Sequence, residues 1–281
     1  MNKEIKNYGF IEPKIELEDY IFGGGNVVTD VFQENGQWDQ FVPKDEIQEN
    51  DSVETSNCTA YGTLNCLETF MRKAFLEDNN YSERYTGIMA GTRPPGNSPQ
   101  IVAQAVRKFG VIPESILPFD ESITSIEEYY SPDPMIKHFT DMGAKWLEGY
   151  DVFHEWVSPY IADMKEALKY SPLGVGVYAW VQNSNGLYVR VSGGQDNHWC
   201  MCYGYEDGKY WKIFDSYDNT HKKLDWNFGF NFVKRYHIDK KKTVQPDPKQ
   251  NQILLLLQKI IELYQIIINQ LSKVGSKIFK K

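Results

Sequence analysis

Three side chains in this sequence have the types and the order needed for nucleophilic chemistry: Cys58, His198 and Asp215. Cys58 stands in Ser56-Asn57-Cys58-Thr59-Ala60, where a polar stretch gives way to helical periodicity. His198 follows 140 positions later in Asp196-Asn197-His198-Trp199, and Asp215 another 17 later at the end of Ile213-Phe214-Asp215. A thiol at a helix start is favoured as thiolate, and a neighbouring imidazole completes the activation. A third polar group then fixes the imidazole's tautomer and orientation. Each residue also has an ordinary reading. A lone Cys at a helix start is more often a small buried hydrophobe, and a His at a strand mouth is often structural. Asp215, followed by Ser216-Tyr217-Asp218-Asn219, fits a turn. The order of all three favours chemistry, with Asp218 and Asn219 as fallback partners for the imidazole.

The elements that must position these groups follow from periodicity. From Cys58 onward, Leu64, Leu67, Phe70, Met71 and Phe75 recur at spacings of three and four, which predicts a helix with Ser56 or Asn57 as its cap. Cys66 lies inside that helix and reads as core filling. Ser98-Pro99 predicts the start of a second helix and Gly110 its end. A third helix is expected near 158–170. Strands are expected over 173–181, 187–191, 199–205, 210–214 and 230–238. Helices first and strands afterwards predict an α+β fold with a mainly antiparallel sheet. Residues 1–40 read as an N-terminal extension, 41–238 as the main domain, 239–251 as a polar linker with two prolines, and 252–281 as a separate helix.

The charge balance removes one class of function. The chain carries −8 overall, but residues 240–281 hold +7 and leave −15 on residues 1–239. An acidic body does not offer the basic face that nucleic acid requires. The four cysteines, at 58, 66, 200 and 202, have spacings that fit no disulfide framework. The first residues contain no apolar run, so no secretory signal is expected, and a cytoplasmic or virion-associated location follows. His198, Cys200 and Cys202 share a strand face, but alternate strand positions seldom converge on one metal. No metal or cofactor is expected. The histidines at 138, 154, 221 and 237 lie in no comparable context.

In the last segment, Ile253, Leu257, Ile260, Tyr264, Ile267, Leu271, Val274 and Ile278 alternate at spacings of four and three. This pattern predicts a coiled coil, leaning towards more than two strands, and hence a homo-oligomer through residues 253–278. Gln258, Lys259, Glu262, Gln265 and Asn269 interrupt it, which argues against a membrane span; contact with a membrane surface is a less favoured alternative.

The segment from His198 to Tyr205 (HWCMCYGY) resembles the histidine strand of papain-like cysteine peptidases. Tyr210 to Tyr217 resembles their next strand, with Asp215-Ser216-Tyr217 in place of Asn-Ser-Trp, and Gly96 to Phe119 is similar to the segment running from the substrate-binding glycines through a helix. The likeness spans about residues 40–238. It implies a papain-like fold, in which a helical subdomain carries the nucleophile beside an antiparallel β subdomain, and a bacterial or bacteriophage-type peptidase acting on peptides or proteins. It further implies that Cys58 is the nucleophile, His198 the base and Asp215 the orienting group, with Gly96 and Asn97 binding substrate. The family's oxyanion glutamine lies six residues before the cysteine, where this chain has Ser52; Gln48 is the nearest upstream replacement. Only 57 residues precede Cys58, too few for the family's long inhibitory propeptide. A cell-wall amidase or peptidase of related type, and an inactive papain-like module in an assembly, are the alternatives.

Overall fold

The computed structural model describes residues 6–25, 30–44, 46–131 and 135–241, with Leu256, Lys259, Ile260 and Tyr264 beyond them. The chain divides into two compact units, Met1–Lys241 and Lys242–Lys281. Among the described residues of the first, six α-helices come in the order α1 (Cys58–Phe75), α2 (Glu83–Met89), α3 (Pro99–Phe109), α4 (Ile126–Tyr130), α5 (Ile136–Gly149) and α6 (Ile161–Ala167). The strands are β1 (Tyr150–Trp156), β2 (Leu173–Val177), β3 (His198–Glu206), β4 (Tyr210–Asp215), β5 (Thr220–Asp225) and β6 (Val233–Lys240). They form one antiparallel sheet in the order β1-β6-β2-β3-β4-β5, so the fold is α+β with helices preceding most of the sheet.

The helix signals read from the sequence act as expected at α3. Ser98 accepts the Gln100 N–H, Pro99 opens the helix, and Gly110 ends it at φ 68°. The expected cap of α1 is corrected. Ser56 adopts a left-handed φ of 51°, and Asn57 makes no side-chain cap hydrogen bond. Instead the buried Asn57 amide donates to the Glu83 carbonyl and the Tyr129 hydroxyl, tying the start of α1 to α2 and α4. The expected strand at 187–191 is also corrected. Tyr188 makes only isolated bridges, to Gln182 and Leu224, and the last strand begins at Val233 rather than 230.

The core lies between α1 and the sheet. Leu64, Leu67, Phe70 and Met71 from α1 meet Val175, Met201, Ile213 and Tyr236 from the strands, all fully or almost fully buried. Gly62 sets how closely α1 can approach. A Cβ there would sit 2.7 Å from the Trp199 ring and 3.1 Å from its carbonyl oxygen. The missing side chain therefore lets the first turn of α1 lie directly on β3.

Of the heptad residues in the last segment, Ile260 and Tyr264 are described. They are helical and exposed, as is Leu256. The other heptad positions and most of the linker lie outside the described residues. Among the described residues no helix is long and apolar enough to cross a membrane.

Candidate active site

The close approach of α1 to β3 brings Cys58 to the mouth of the histidine strand. The Cys58 sulfur packs with Phe10, Trp156 and Trp199 and has no solvent exposure. Burial pushes its pKa well up, the backbone N–H groups of Trp199 and Thr59 oppose that rise, and the carboxylates of Glu54 and Asp215 add to it. The thiol is neutral in this closed form. The expectation of a thiolate at the helix start is therefore met by a stronger opposing effect, desolvation.

His198 is fully buried, and its Nε2 lies 2.7 Å from Asp215 Oδ1. Asp215 also accepts the Tyr217 N–H at 3.0 Å and pairs with Lys222 Nζ at 2.8 Å. Burial alone would raise the Asp215 pKa, but His198 and Lys222 outweigh it and hold the carboxyl well below the usual range. An ionised Asp215 requires the proton on Nε2, which leaves Nδ1 as the acceptor nitrogen. Nδ1 has no hydrogen-bond partner among the described residues. The fallback residues do not reach the imidazole: Asp218 pairs with Lys222, and Asn219 accepts the Glu46 N–H.

Lys222 was not among the sequence candidates, although a signal was present. In the strand Thr220–Asp225 the inward face falls on Lys222 and Leu224, so alternation from Leu224 marks a buried lysine. A lysine that is 3% exposed needs an anion, and Asp215 and Asp218 supply it.

Gln48 reaches the cleft although it stands ten residues before Cys58. Residues 49–54 form a tight hairpin, with a Glu49–Glu54 bridge and an Asn50–Val53 hydrogen bond, which returns Thr55 beside Gln48. Ser52 sits exposed on that hairpin. The buried Gln48 Nε2 donates 2.7 Å to the carbonyl of Tyr8 and 3.1 Å to Glu54 Oε1.

Tyr8 belongs to a segment, residues 6–11, that packs against Cys58 and His198 and pairs with the loops before α3 and β3. Asn197 Nδ2 donates to the Lys6 carbonyl, and the Tyr8 N–H donates to the Asn197 carbonyl. The Asn97 N–H then donates to the Gly9 carbonyl at 3.0 Å, and the Ile11 N–H to the Asn97 carbonyl at 2.9 Å, making a parallel bridge. Gly9 and Gly96 permit this crossing. Both have positive φ, and a Cβ at Gly9 would lie 2.3 Å from the Ser56 carbonyl oxygen. Thus residues 6–11 touch Cys58, His198, Gln48, Gly96 and Asn97, and Asp215 stands behind His198.

Cys200 Sγ donates to Asp215 Oδ1 at 3.8 Å, and His198, Cys200 and Asp215 place donor atoms within 4.8 Å of one another. Cys202 turns instead to the Gly204 carbonyl, so the strand face divides after Cys200. The three convergent groups are already committed to one another, with Asp215 as the shared acceptor. All four cysteines are free thiols.

No family model matches the sequence, and no curated protein sequence matches it. Solved structures do. Xylellain, a cysteine protease from Xylella fastidiosa, is 14% identical with a TM-score of 0.58, covering 86% of this chain and 99% of its own. Digestive procathepsin L 3 from the larval midgut of Tenebrio molitor gives 14% identity and a TM-score of 0.56, over 83% of this chain and 76% of its own. The proform of Amb a 11, the ragweed pollen cysteine protease, gives 13% and 0.52, over 77% and 69%. The fold is papain-like, with the helical and antiparallel β parts that this implies.

Proposed function

We propose that this chain is a papain-like cysteine endopeptidase with Cys58 as nucleophile, held latent in the described form by residues 6–11. The observation that carries the reading is a juxtaposition of neighbours in sequence. The Trp199 amide faces the Cys58 sulfur, and the preceding residue, His198, keeps Nδ1 free while Nε2 is bound to Asp215. When the segment leaves and water enters, the desolvation that keeps the thiol neutral weakens. The uncapped N-terminus of α1 and an imidazolium beside it then favour the thiolate.

In the proposed reaction His198 Nδ1 takes the thiol proton, and Sγ attacks the substrate carbonyl carbon. Negative charge on the carbonyl oxygen is met by the Cys58 backbone N–H and Gln48 Nε2, the donor that holds the Tyr8 carbonyl in the latent form. The C–N bond breaks as His198 returns its proton to the leaving amine, giving an acyl-enzyme. Water, deprotonated by His198, then releases the acid and regenerates the thiol. Asp215 stabilises the imidazolium, and Lys222 keeps Asp215 ionised. The Asn97 amide and carbonyl pair with the substrate backbone in place of Gly9 and Ile11, which suits peptide or protein substrates.

Labelling with an electrophilic thiol reagent and turnover of fluorogenic peptides test this reading. Wild type and a variant with a displaced N-terminal segment are expected to label, and Cys58→Ala is not; equal labelling of all three would sink it. The fully buried thiol favours one other reading, an inactive module within an assembly, which complete turnover of a peptide would remove. Turnover of peptidoglycan rather than protein would point to the related cell-wall amidase or peptidase. We also propose that residues 253–278 associate copies of this chain. The exposed Leu256, Ile260 and Tyr264 at helical spacing support that association, and sedimentation of the full chain against one ending at Lys241 tests it.

A further inference from the structure

The Gln48 amide holds a carbonyl oxygen in the latent form, and a carboxylate holds the amide. Nε2 donates 2.7 Å to the Tyr8 carbonyl and 3.1 Å to Glu54 Oε1. A side-chain amide nitrogen carries two hydrogens, enough for both. Each partner is an acceptor only, so the nitrogen must face them. The other end of the amide, Oε1, is buried with no hydrogen-bond partner among the described residues. The terminal torsion of a glutamine is broad and roughly two-fold, so it has little preference of its own between the two amide orientations. Turned over, the amide would set its oxygen lone pairs against a carboxylate and a peptide carbonyl.

Glu54 is itself fixed beside the nucleophile. Its Oε1 also accepts the Ser56 N–H at 2.9 Å, and the Ser56 hydroxyl donates to Oε2 at 3.5 Å. The Gln48 carbonyl accepts both the N–H and the hydroxyl of Thr55. From the opposite side, the Gln48 N–H donates to the carbonyl of Ser216, the residue after Asp215, at 2.9 Å. The Gln48 backbone is therefore held by two segments, and the freedom left to it is the rotation of the amide that Glu54 restrains.

We propose that Glu54 is a positioning residue for the peptidase reaction, holding the Gln48 amide with its nitrogen towards the carbonyl oxygen of the substrate. The inference rests on Cys58 as nucleophile and Gln48 as oxyanion donor. In the latent form the Tyr8 carbonyl shares the task. Once residues 6–11 leave, Glu54 is the acceptor that remains, and the donor is oriented before charge develops on the substrate. The same carboxylate works against the nucleophile, because its charge adds to the effects that keep the Cys58 thiol neutral. Glu54 thus disfavours the thiolate and favours the oxyanion, whereas a residue that only supported the fold would move both the same way.

The test is a double-mutant cycle on turnover of a fluorogenic peptide, in full chains that all carry Gly9→Ala to lift residues 6–11. Glu54→Ala is expected to lower kcat by about 10- to 100-fold with little change in KM, and to lose nothing further in a Gln48→Ala background. Alkylation of Cys58 by a neutral reagent forms no oxyanion, so its rate should hold or quicken in Glu54→Ala. Glu54→Gln keeps an acceptor oxygen without the charge and should recover most of the lost kcat. Glu54→Ser, whose hydroxyl can still accept the Ser56 N–H but falls short of Gln48, replaces Glu54→Ala if that variant does not fold. Equal losses with and without Gln48, or parallel falls in kcat and alkylation, would overturn the inference and leave Cys58 as nucleophile. Absence of any Cys58-dependent turnover would instead remove the peptidase reading, and the inference with it.

Discussion

Two buried polar clusters, one on β3, β4 and β5 and one joining α1, α2 and the Glu46 loop, treat charge in opposite ways. On β3, β4 and β5, His198, Asp215 and Lys222 alternate acid and base, so the Asp215 carboxylate is ionised although fully buried. Glu68 and Glu83 lie close to each other and to Glu46, and burial drives the Glu68 and Glu83 carboxyls towards the protonated form. Burial is common to both and disfavours charge in each. What differs is whether opposite charge is built into the chain. Asp215 has His198 and Lys222 in direct contact, whereas Glu68 has Arg72 at 3.9 Å, too far to offset its burial.

The largest effect that separates the two is chemical. Cys58→Ala should abolish thiol labelling and lower peptide turnover by about 10⁴-fold or more, whereas Glu83→Gln, outside the cleft, should leave both nearly unchanged at matched stability. Gln48→Ala should cost about 10²–10³ in kcat if its amide serves the oxyanion, with little change in Tm; an unchanged kcat would remove it from that role.

Breaking the built-in compensation is next in size. Lys222→Met removes the lysine charge from the buried Asp215, and should destabilise the fold by about 3–5 kcal/mol. Pairing it with Asp215→Asn should recover much of that loss, and denaturant titration of the two single variants and the double variant measures the coupling. Additive losses would show that Lys222 does not stabilise through Asp215.

Removing the strap is a smaller change. Gly9→Ala puts a Cβ 2.3 Å from the Ser56 carbonyl oxygen at a left-handed φ, so residues 6–11 should lift from the cleft. Labelling of Cys58 should accelerate about tenfold for each 1.4 kcal/mol of strain. A slower rate would mean that the segment supports the site rather than blocks it.

The mildest test is pH. Glu68, Glu83 and Glu114 have folded pKa values above their unfolded values, so the native state binds more protons between about pH 4.3 and 7. Their contribution is present below that window and is lost as pH rises through it, so the Tm should fall there. Asp215 has the opposite sign, and its contribution is present above about pH 3.9 and disappears only in stronger acid. Glu83→Gln should flatten the neutral-pH slope and leave the acid limb intact.

The sequence by itself determined the helix of Cys58, the capped α3, the histidine strand and the mainly antiparallel order, because these depend on local periodicity, Ser-Pro and Gly signals, and apolar runs. Residue type and order selected Cys58, His198 and Asp215 as candidates, while Gly96 and Asn97 came from the resemblance to papain-like peptidases. Other features depend on contacts distant in sequence. The hairpin that carries Gln48 to the cleft closes through Glu49 and Glu54, and the cap of α1 is lost because Asn57 is drawn to Glu83 and Tyr129. Lys222 gains its anion from a neighbouring strand, and the cluster of carboxyls combines residues far apart in the chain. Tertiary structure alone decided the protonation of the thiol. The helix start and the imidazole favour a thiolate, but the depth to which residues 6–11 and the Trp199 strand bury Cys58 makes desolvation the stronger term.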